Sequence, residues 1–260
     1  MITDSTQRYH LPNNLSVFHK NSYETVYVYQ EIFVDDIYLQ NGITIHDDAI
    51  VFDIGANIGL FSLYLKQKYP SVKVYAFEPS QEIYQLLQLN IADHTNDIKA
   101  FNLGISDKDG IDHFYYYPQF SVISGFNVDS HRDAEIILNG AKNGDQQIDP
   151  QLIATIKQRL SDIITTPCQM KTISSIIQQQ QIEQIDLIKM DAEGSELAIL
   201  NGINQNDWTK IRQIVMEVHN QNDLQIIPNI LMSNGYQVTV ELDKRLKGAN
   251  IYNLYAVREV

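Results

Sequence analysis

Asp53, Glu78, Asp191 and Glu217 each stand at or near the end of an apolar run, and His219 follows Glu217 by two residues. A carboxylate in such a place can accept hydrogen bonds from sugar hydroxyls or an amino group, and can balance a cation. An imidazole beside a carboxylate can take the proton of a weakly acidic hydroxyl, because its ordinary pKa lies near neutrality. Open α/β sheets bind their ligands outside the carboxyl ends of the strands. If these four runs are parallel strands of one sheet, all of these groups share one rim.

The segment VFDIGANIGLFSLYL, residues 51–65, sets a strand, a carboxylate, a glycine turn and a helix in immediate succession. Gly55 permits a sharp turn and Gly59 a close approach of backbone to ligand, with Ala56 and Asn57 between them. We expect Asp53 to fix the turn by accepting backbone hydrogen bonds, or to sit near a ligand's positive charge. Dinucleotide folds seat a pyrophosphate on G-x-G-x-x-G. Here the third glycine position holds Leu60, and Asp53 would repel phosphate. S-adenosylmethionine carries no phosphate but does carry an amino group and a sulfonium, and it suits these residues better. Glu78 before Pro79 ends the next strand, where an acidic side chain can accept both ribose hydroxyls. The third strand runs into Asn102–Asp107, the adenine side, and there we read Gly104 and Ser106 as cofactor contacts, with Asp107 an alternative to Ser106 as partner of the adenine amino group.

The elements that must position these groups alternate. Ala49 to Ile54, Val72 to Phe77, Ile98 to Leu103, Ile185 to Met190 and Ile211 to Val218 read as buried strands. Asn57 to Lys68, Ser80 to Asn90, Glu193 to Leu200 and Asp223 to Asn234 read as helices between them. This order predicts an α/β fold with a mostly parallel, doubly wound sheet. Gln237 to Leu242 and Ile251 to Val257 predict a closing antiparallel pair. We expect a single domain over 1–260. Residues 1–48 would form a cover segment with a strand-like run at Leu15 to His19 and an aromatic helical stretch. The core would span 49–260, with a loop or lid insertion around 118–165 and an extra strand at 111–117.

Charge and composition weigh against several classes. A net charge of −13 and a pI near 4.8 disfavour nucleic acid and acidic membrane surfaces. No run approaches the length of a transmembrane helix, and no signal peptide is read in MITDSTQRYHLPNN, so a cytoplasmic protein, monomeric by default, is expected. Cys168, the sole cysteine, can form no internal disulfide and is expected to be a packing residue.

A second motif, IDLIKMDAEGSELAILNG at 185–202, has Asp191 ending its strand, Glu193 opening a helix and Glu196 in the first helical turn. Together with VFDIGANIGLFSL and AFEP it resembles the FkbM-type methyltransferases over roughly residues 49–220. That resemblance implies a Rossmann-like class I methyltransferase fold, S-adenosylmethionine as donor, transfer to oxygen and no metal. It carries the family's cofactor positions onto Asp53, Gly55, Asn57, Gly59 and Glu78. The leading segment LPNNLSVFHKNSYETVYVYQEIF with MEVHN at 216–220 is also similar to the O-methyltransferase domains of polyketide and peptide megasynthases. This implies a hydroxylated acceptor on an acyl or peptidyl carrier protein. A free-standing enzyme of a sugar, lipid or small metabolite is the alternative.

For the chemistry we expect His219 as general base, oriented by Glu217 or Glu193, with Asp191 beside it. His19 could also face the pocket, whereas the other histidines read as surface or packing residues. Asp191, Glu193 and Glu217 could instead bind a divalent cation, though none is expected. A nicotinamide oxidoreductase and a cofactor-binding domain without turnover remain as readings from other classes.

Overall fold

In a computed structural model of the chain, residues 7–94, 97–127, 133–134, 137–138, 149–243 and 251–258 are described. Part of the expected insertion, and His131 within it, lies outside them.

The cover segment opens with an antiparallel hairpin of β1 (Gln7–His10) and β2 (Ser16–His19), of which only the second strand was legible in the sequence. Helix α1 (Ser22–Tyr29) follows, capped by Asn21, whose Oδ1 accepts the Glu24 amide at 2.8 Å. One wider turn, Gln30–Val34, extends it and buries Glu31 and Ile32. Such turns inside helices recur at functional sites, because they redirect side chains.

The core alternates β3 (Ile50–Ile54), α2 (Leu60–Lys68), β4 (Lys73–Phe77), α3 (Gln81–His94) and β5 (Ile98–Phe101). The chain then leaves the main sheet. β6 (Gly104–Ile105), β7 (Gly110–Tyr116), α4 (Pro150–Leu160) and β8 (Ile164–Lys171) come next, and the three strands make a separate sheet in the order β6-β8-β7. Helix α5 (Ile173–Gln180) returns to β9 (Leu187–Met190), α6 (Glu196–Asn201), β10 (Gln213–Val218), α7 (Asp223–Ser233), β11 (Tyr236–Leu242) and β12 (Tyr252–Arg258).

The main sheet has the order β11-β12-β10-β9-β3-β4-β5. Strands β10, β9, β3, β4 and β5 pair in parallel, and β12 runs antiparallel between β10 and β11. Strands buried on both faces explain the near-continuous apolar runs: every residue of β9 and β10 is buried. Lys189 and Glu217 sit inside those two strands, so their charges must find partners within the protein. Strand order reverses between β3 and β9, where the connections from the two strands diverge. That is the switch point at which α/β sheets open a ligand crevice.

Cover and core are tied by Asn90, which is fully buried on α3. Its Oδ1 accepts the Phe18 amide at 2.7 Å, while its Nδ2 donates to the carbonyls of Phe18 and Ile58 at 2.9 and 2.8 Å. Two sequence readings need correction. The third main-sheet strand ends at Phe101, earlier than Leu103, because Gly104 and Ile105 pair with Met170 and Lys171 in the second sheet. Glu193 does not open a helix: it takes a left-handed conformation (φ 48°) next to Gly194 (φ 87°), and α6 begins only at Glu196. Among the described residues, no helix is long and apolar enough to cross a membrane.

Candidate active site

A cavity of about 550 Å³ opens at the carboxyl edge of β3, β4, β9 and β10. One part is lined by Gly55, Ala56, Asn57, Glu78, Pro79 and Gly104, and a second by Asp191, Glu193, Glu217 and His219. Above them lie Tyr27 and Val28 of α1, and Phe120, Ile123 and Phe126 beyond β7. These two covering pieces are bonded to each other. Glu24 accepts the Ser121 amide at 2.8 Å and its hydroxyl at 2.5 Å. Burial pushes the Glu24 carboxyl above its ordinary range, against the pull of those bonds.

The glycine turn is built by backbone contacts. The amides of Gly55 and Ala56 donate to the Phe77 carbonyl at 3.1 and 3.0 Å. Gly55 has φ 72°, and a Cβ there would lie 1.8 Å from the carbonyl oxygen of Asp191. The two sequence motifs therefore touch through backbone at this residue, and no side chain is tolerated between them. Asn57 is also left-handed (φ 51°) and turns its amide to Glu78 Oε2 at 3.0 Å; Glu78 Oε1 accepts the Ser80 amide at 2.8 Å. Burial raises the Glu78 carboxyl to about 7 in spite of these two bonds and the nearby Lys189.

Asp53 does not do what its position in the motif suggested. It is fully buried beneath the turn, outside the cavity lining. Its Oδ2 accepts the Ser62 hydroxyl at 2.6 Å and its Oδ1 lies 3.4 Å from Lys189 Nζ. The carboxylate that holds the turn's amide is Glu78. Gly59 begins α2 with φ 92°, and a Cβ on it would strike Leu87, so it serves helix packing. Ser106 lies outside the cavity, its hydroxyl 3.3 Å from Asp107 and its amide bound to the Lys171 carbonyl. The chain's departure into the second sheet carries it away, and Leu103, Gly104 and Ile105 line that side instead. His19 is buried beside Thr25 and Tyr9 and does not reach the cavity.

On the other side His219 is enclosed by acids. Its Nε2 lies 3.4 Å from Glu193 and 3.7 Å from Glu217, and its Nδ1 lies 3.4 Å from Glu196. Burial disfavours the imidazolium, but Glu193, Glu196 and Asp191 outweigh it and push the pKa up to about 10. Glu196 was the partner the sequence reading overlooked. Its Oε1 also accepts the amides of Ala192 at 3.3 Å and Gly194 at 3.1 Å, which fixes the turn carrying Glu193. Tyr38 adds a hydroxyl 3.4 Å from both Asp191 and Glu217, either of which can accept its one proton.

Lys189 was also overlooked. It lines the cavity floor and reaches the Gly55 carbonyl at 3.0 Å, Asp53 at 3.4 Å and Asp191 at 3.7 Å. The available signal was one cation inside the apolar run DLIKMD. Cys168 is buried, and burial raises its thiol to about 11, which suits packing and not reactivity.

The residues fit S-adenosylmethionine. The cavity has the size of small-molecule sites. Its walls offer acceptors for hydroxyls and an amino group at Glu78 and Asp191, and carboxylates to balance a sulfonium. For a metal, Asp191, Glu193 and His219 bring one ligand atom each within 4.8 Å of one another, as do Glu31, Glu217 and Asp243.

A mostly parallel α/β sheet with a carboxylate-lined crevice at its switch point places the protein among the Rossmann-like, S-adenosylmethionine-dependent methyltransferases. The chain belongs to the FkbM methyltransferase family: the family model described as the Methyltransferase FkbM domain matches residues 53–238. It is 35% identical to the AMB antimetabolite synthetase AmbE of Pseudomonas aeruginosa in a 260-position alignment that covers 95% of this chain and 12% of that one. The chain thus spans only a small part of that relative. It is 32% identical to the 31-O-demethyl-FK506 methyltransferase FkbM of Streptomyces tacrolimicus, with 99% of each chain covered. Methyltransferase sdnD of Sordaria araneosa is 29% identical over 87% of this chain and 88% of its own.

Proposed function

We propose that the protein is an O-methyltransferase whose acceptor hydroxyl belongs to a polyketide or peptide intermediate tethered to a carrier protein. The observation that carries this reading is the imidazole of His219 enclosed by Glu193, Glu196 and Glu217 at the cavity wall. A neutral amine attacks with its own lone pair and needs no base, whereas an alcohol is a weak nucleophile that gains from a proton acceptor at the moment of attack. Two relatives add support. One is named for a 31-O-demethyl substrate, and another is a synthetase of which this chain matches one part. The apolar roof of Tyr27, Phe120, Ile123 and Ile156 suits an acyl chain. The name of the Streptomyces relative, a methyltransferase of 31-O-demethyl-FK506, supports the second reading, an enzyme acting on a free metabolite.

When bound, S-adenosylmethionine supplies an electrophilic methyl group on a positively charged sulfur. Glu78 would accept the ribose hydroxyls, Gly55 to Asn57 would face the cofactor with backbone, and Pro79 and Gly104 would flank the adenine side. Asp191 would balance the cationic end. Across the cavity, Glu193 and His219 act as a pair. The acceptor's proton goes to the Glu193 carboxylate, which lines the cavity, while the imidazolium of His219 holds that carboxylate in place. Glu193 paired with His219 already supplies a proton acceptor, so the proposed reaction calls on no metal.

The test is formation of S-adenosylhomocysteine with a 3-hydroxyacyl pantetheine thioester, the free hydroxy acid and the matching 3-amino compound, each with and without EDTA. Methylation of both hydroxyls, fastest on the thioester and unchanged by EDTA, is expected. Methylation of the amine alone would sink the oxygen assignment; equal rates on thioester and acid would remove the carrier. A loss with EDTA would move the chemistry to a metal.

The raised Glu78 carboxyl adds a pH dependence to cofactor binding. Below about 7 it is protonated and loses acceptor capacity. Affinity for S-adenosylmethionine should therefore rise by roughly tenfold from pH 5.5 to 6.5 and level off above about pH 8. Calorimetry across that range checks it, and Glu78→Gln should flatten the curve.

A further inference from the structure

Lys189 is a buried cation at the floor of a cavity that must accept another cation. It is 3% exposed, and its ammonium joins the two motifs: the Gly55 carbonyl at 3.0 Å and Asp53 at 3.4 Å on one side, Asp191 at 3.7 Å on the other. The Tyr38 ring lies 5.2 Å away and presents its face. Asp53 and Asp191 alone would make this floor strongly negative, which is the simplest way to hold a sulfonium. The protein instead places a fixed positive charge between them.

We propose that Lys189 is a positioning residue with an electrostatic role. It locks the Gly55 and Asp191 turns in register and offsets their carboxylates, so that the site favours the cofactor after it has lost its charge. In methyl transfer the carbon–sulfur bond breaks and its electron pair stays on sulfur. The acceptor oxygen gains the methyl and its proton leaves to the protein. Positive charge on sulfur therefore disappears along the reaction. A nearby fixed cation raises the energy of the charged reactant more than that of the neutral product. Burial disfavours the ammonium of Lys189, but Asp53, Asp191, Glu31 and Glu217 together hold its pKa above the ordinary lysine value, so the charge is permanent. The inference rests on the cofactor and not on the acceptor, so it stands or falls separately from the oxygen and carrier assignments.

The readout is the ratio of dissociation constants for S-adenosylmethionine and S-adenosylhomocysteine, measured by calorimetry on the full chain without acceptor. The wild type should bind the neutral thioether at least as tightly as the sulfonium. Lys189→Met should shift the ratio toward the sulfonium by about tenfold, the scale of one partly screened charge at close range. Lys189→Arg, which keeps the charge, should leave the ratio within about twofold of the wild type even if both affinities fall. Equal weakening of both ligands in Lys189→Met would overturn the proposal and leave a scaffold role. So would a wild type that binds the sulfonium more than about tenfold tighter than the thioether. If Lys189→Met does not fold, the wild-type and Lys189→Arg ratios decide. Binding of neither ligand by the folded wild type would contradict the cofactor assignment itself.

Discussion

Replacing Glu78 with alanine is expected to weaken S-adenosylmethionine binding by at least about 100-fold. The carboxylate holds the amides of Asn57 and Ser80, one on each oxygen, and each oxygen keeps a second lone pair for a ribose hydroxyl. Hydrogen bonds to a charged group contribute about 1.5–3 kcal/mol apiece, so losing two removes about 3 kcal/mol or more, and about 1.4 kcal/mol is tenfold in affinity. The variant also leaves the buried Asn57 turn without its acceptor, which adds to the loss. Glu78→Gln separates the two contributions. It keeps the size of the side chain and one acceptor oxygen, so binding should fall by only about 10- to 30-fold. Calorimetric titration of both variants, with thermal melts to confirm folding, measures this. An alanine variant within threefold of the wild type would mean that Glu78 braces the turn and meets no ribose.

Why the place of Glu78 at the rim could be read from sequence while the inward turn of Asp53 could not is a matter of which link in the chain of causes decides. Strand, turn and helix are local, and apolar runs ending in Gly55 or Asp191 mark them directly. The carboxyl rim then follows from parallel pairing, so Glu78, Asp191, Glu217 and His219 were legible together. Which way a side chain points at that rim depends on its neighbours. Asp53 turns inward because Ser62 on α2 and Lys189 on β9 are there to receive it. Both contacts are tertiary, and no spacing announces them. Glu196 was read only as a carboxylate at a helix start, where the dipole favours it. Its second role, beside His219 Nδ1, needs the fold of β10 against α6. Ser106 failed for a topological reason: the strand that would have carried it along the rim ends at Phe101, and the chain turns into a second sheet. Lys189 did leave a trace, since a cation inside DLIKMD cannot be buried without paired carboxylates. The strand pattern was legible, but the lysine within it was passed over.

Glu193→Gln is expected to lower kcat by about 10²–10⁴-fold, the usual contribution of a positioned proton acceptor, and to leave S-adenosylmethionine affinity within about threefold of the wild type. What decides is which member of the pair is free to take a proton. With its pKa raised to about 10, His219 is predominantly the imidazolium near pH 7. Glu193 keeps 13% of its side chain exposed against 2% for His219, and both line the cavity. The carboxylate is the member that an acceptor hydroxyl can reach in the common ionisation state. His219→Ala should then cost about as much as Glu193→Gln, since the carboxylate loses the cation that orients it, and the double variant little more than either alone. A pH profile decides between the two acceptors. If Glu193 takes the proton, the rate with the hydroxyacyl thioester stays level within about threefold from pH 7.5 to 9. If neutral imidazole takes it, the rate climbs by roughly tenfold per pH unit toward 10, because each unit multiplies the neutral fraction by that factor. A climbing profile together with a near-normal Glu193→Gln rate would return the role of base to His219 alone.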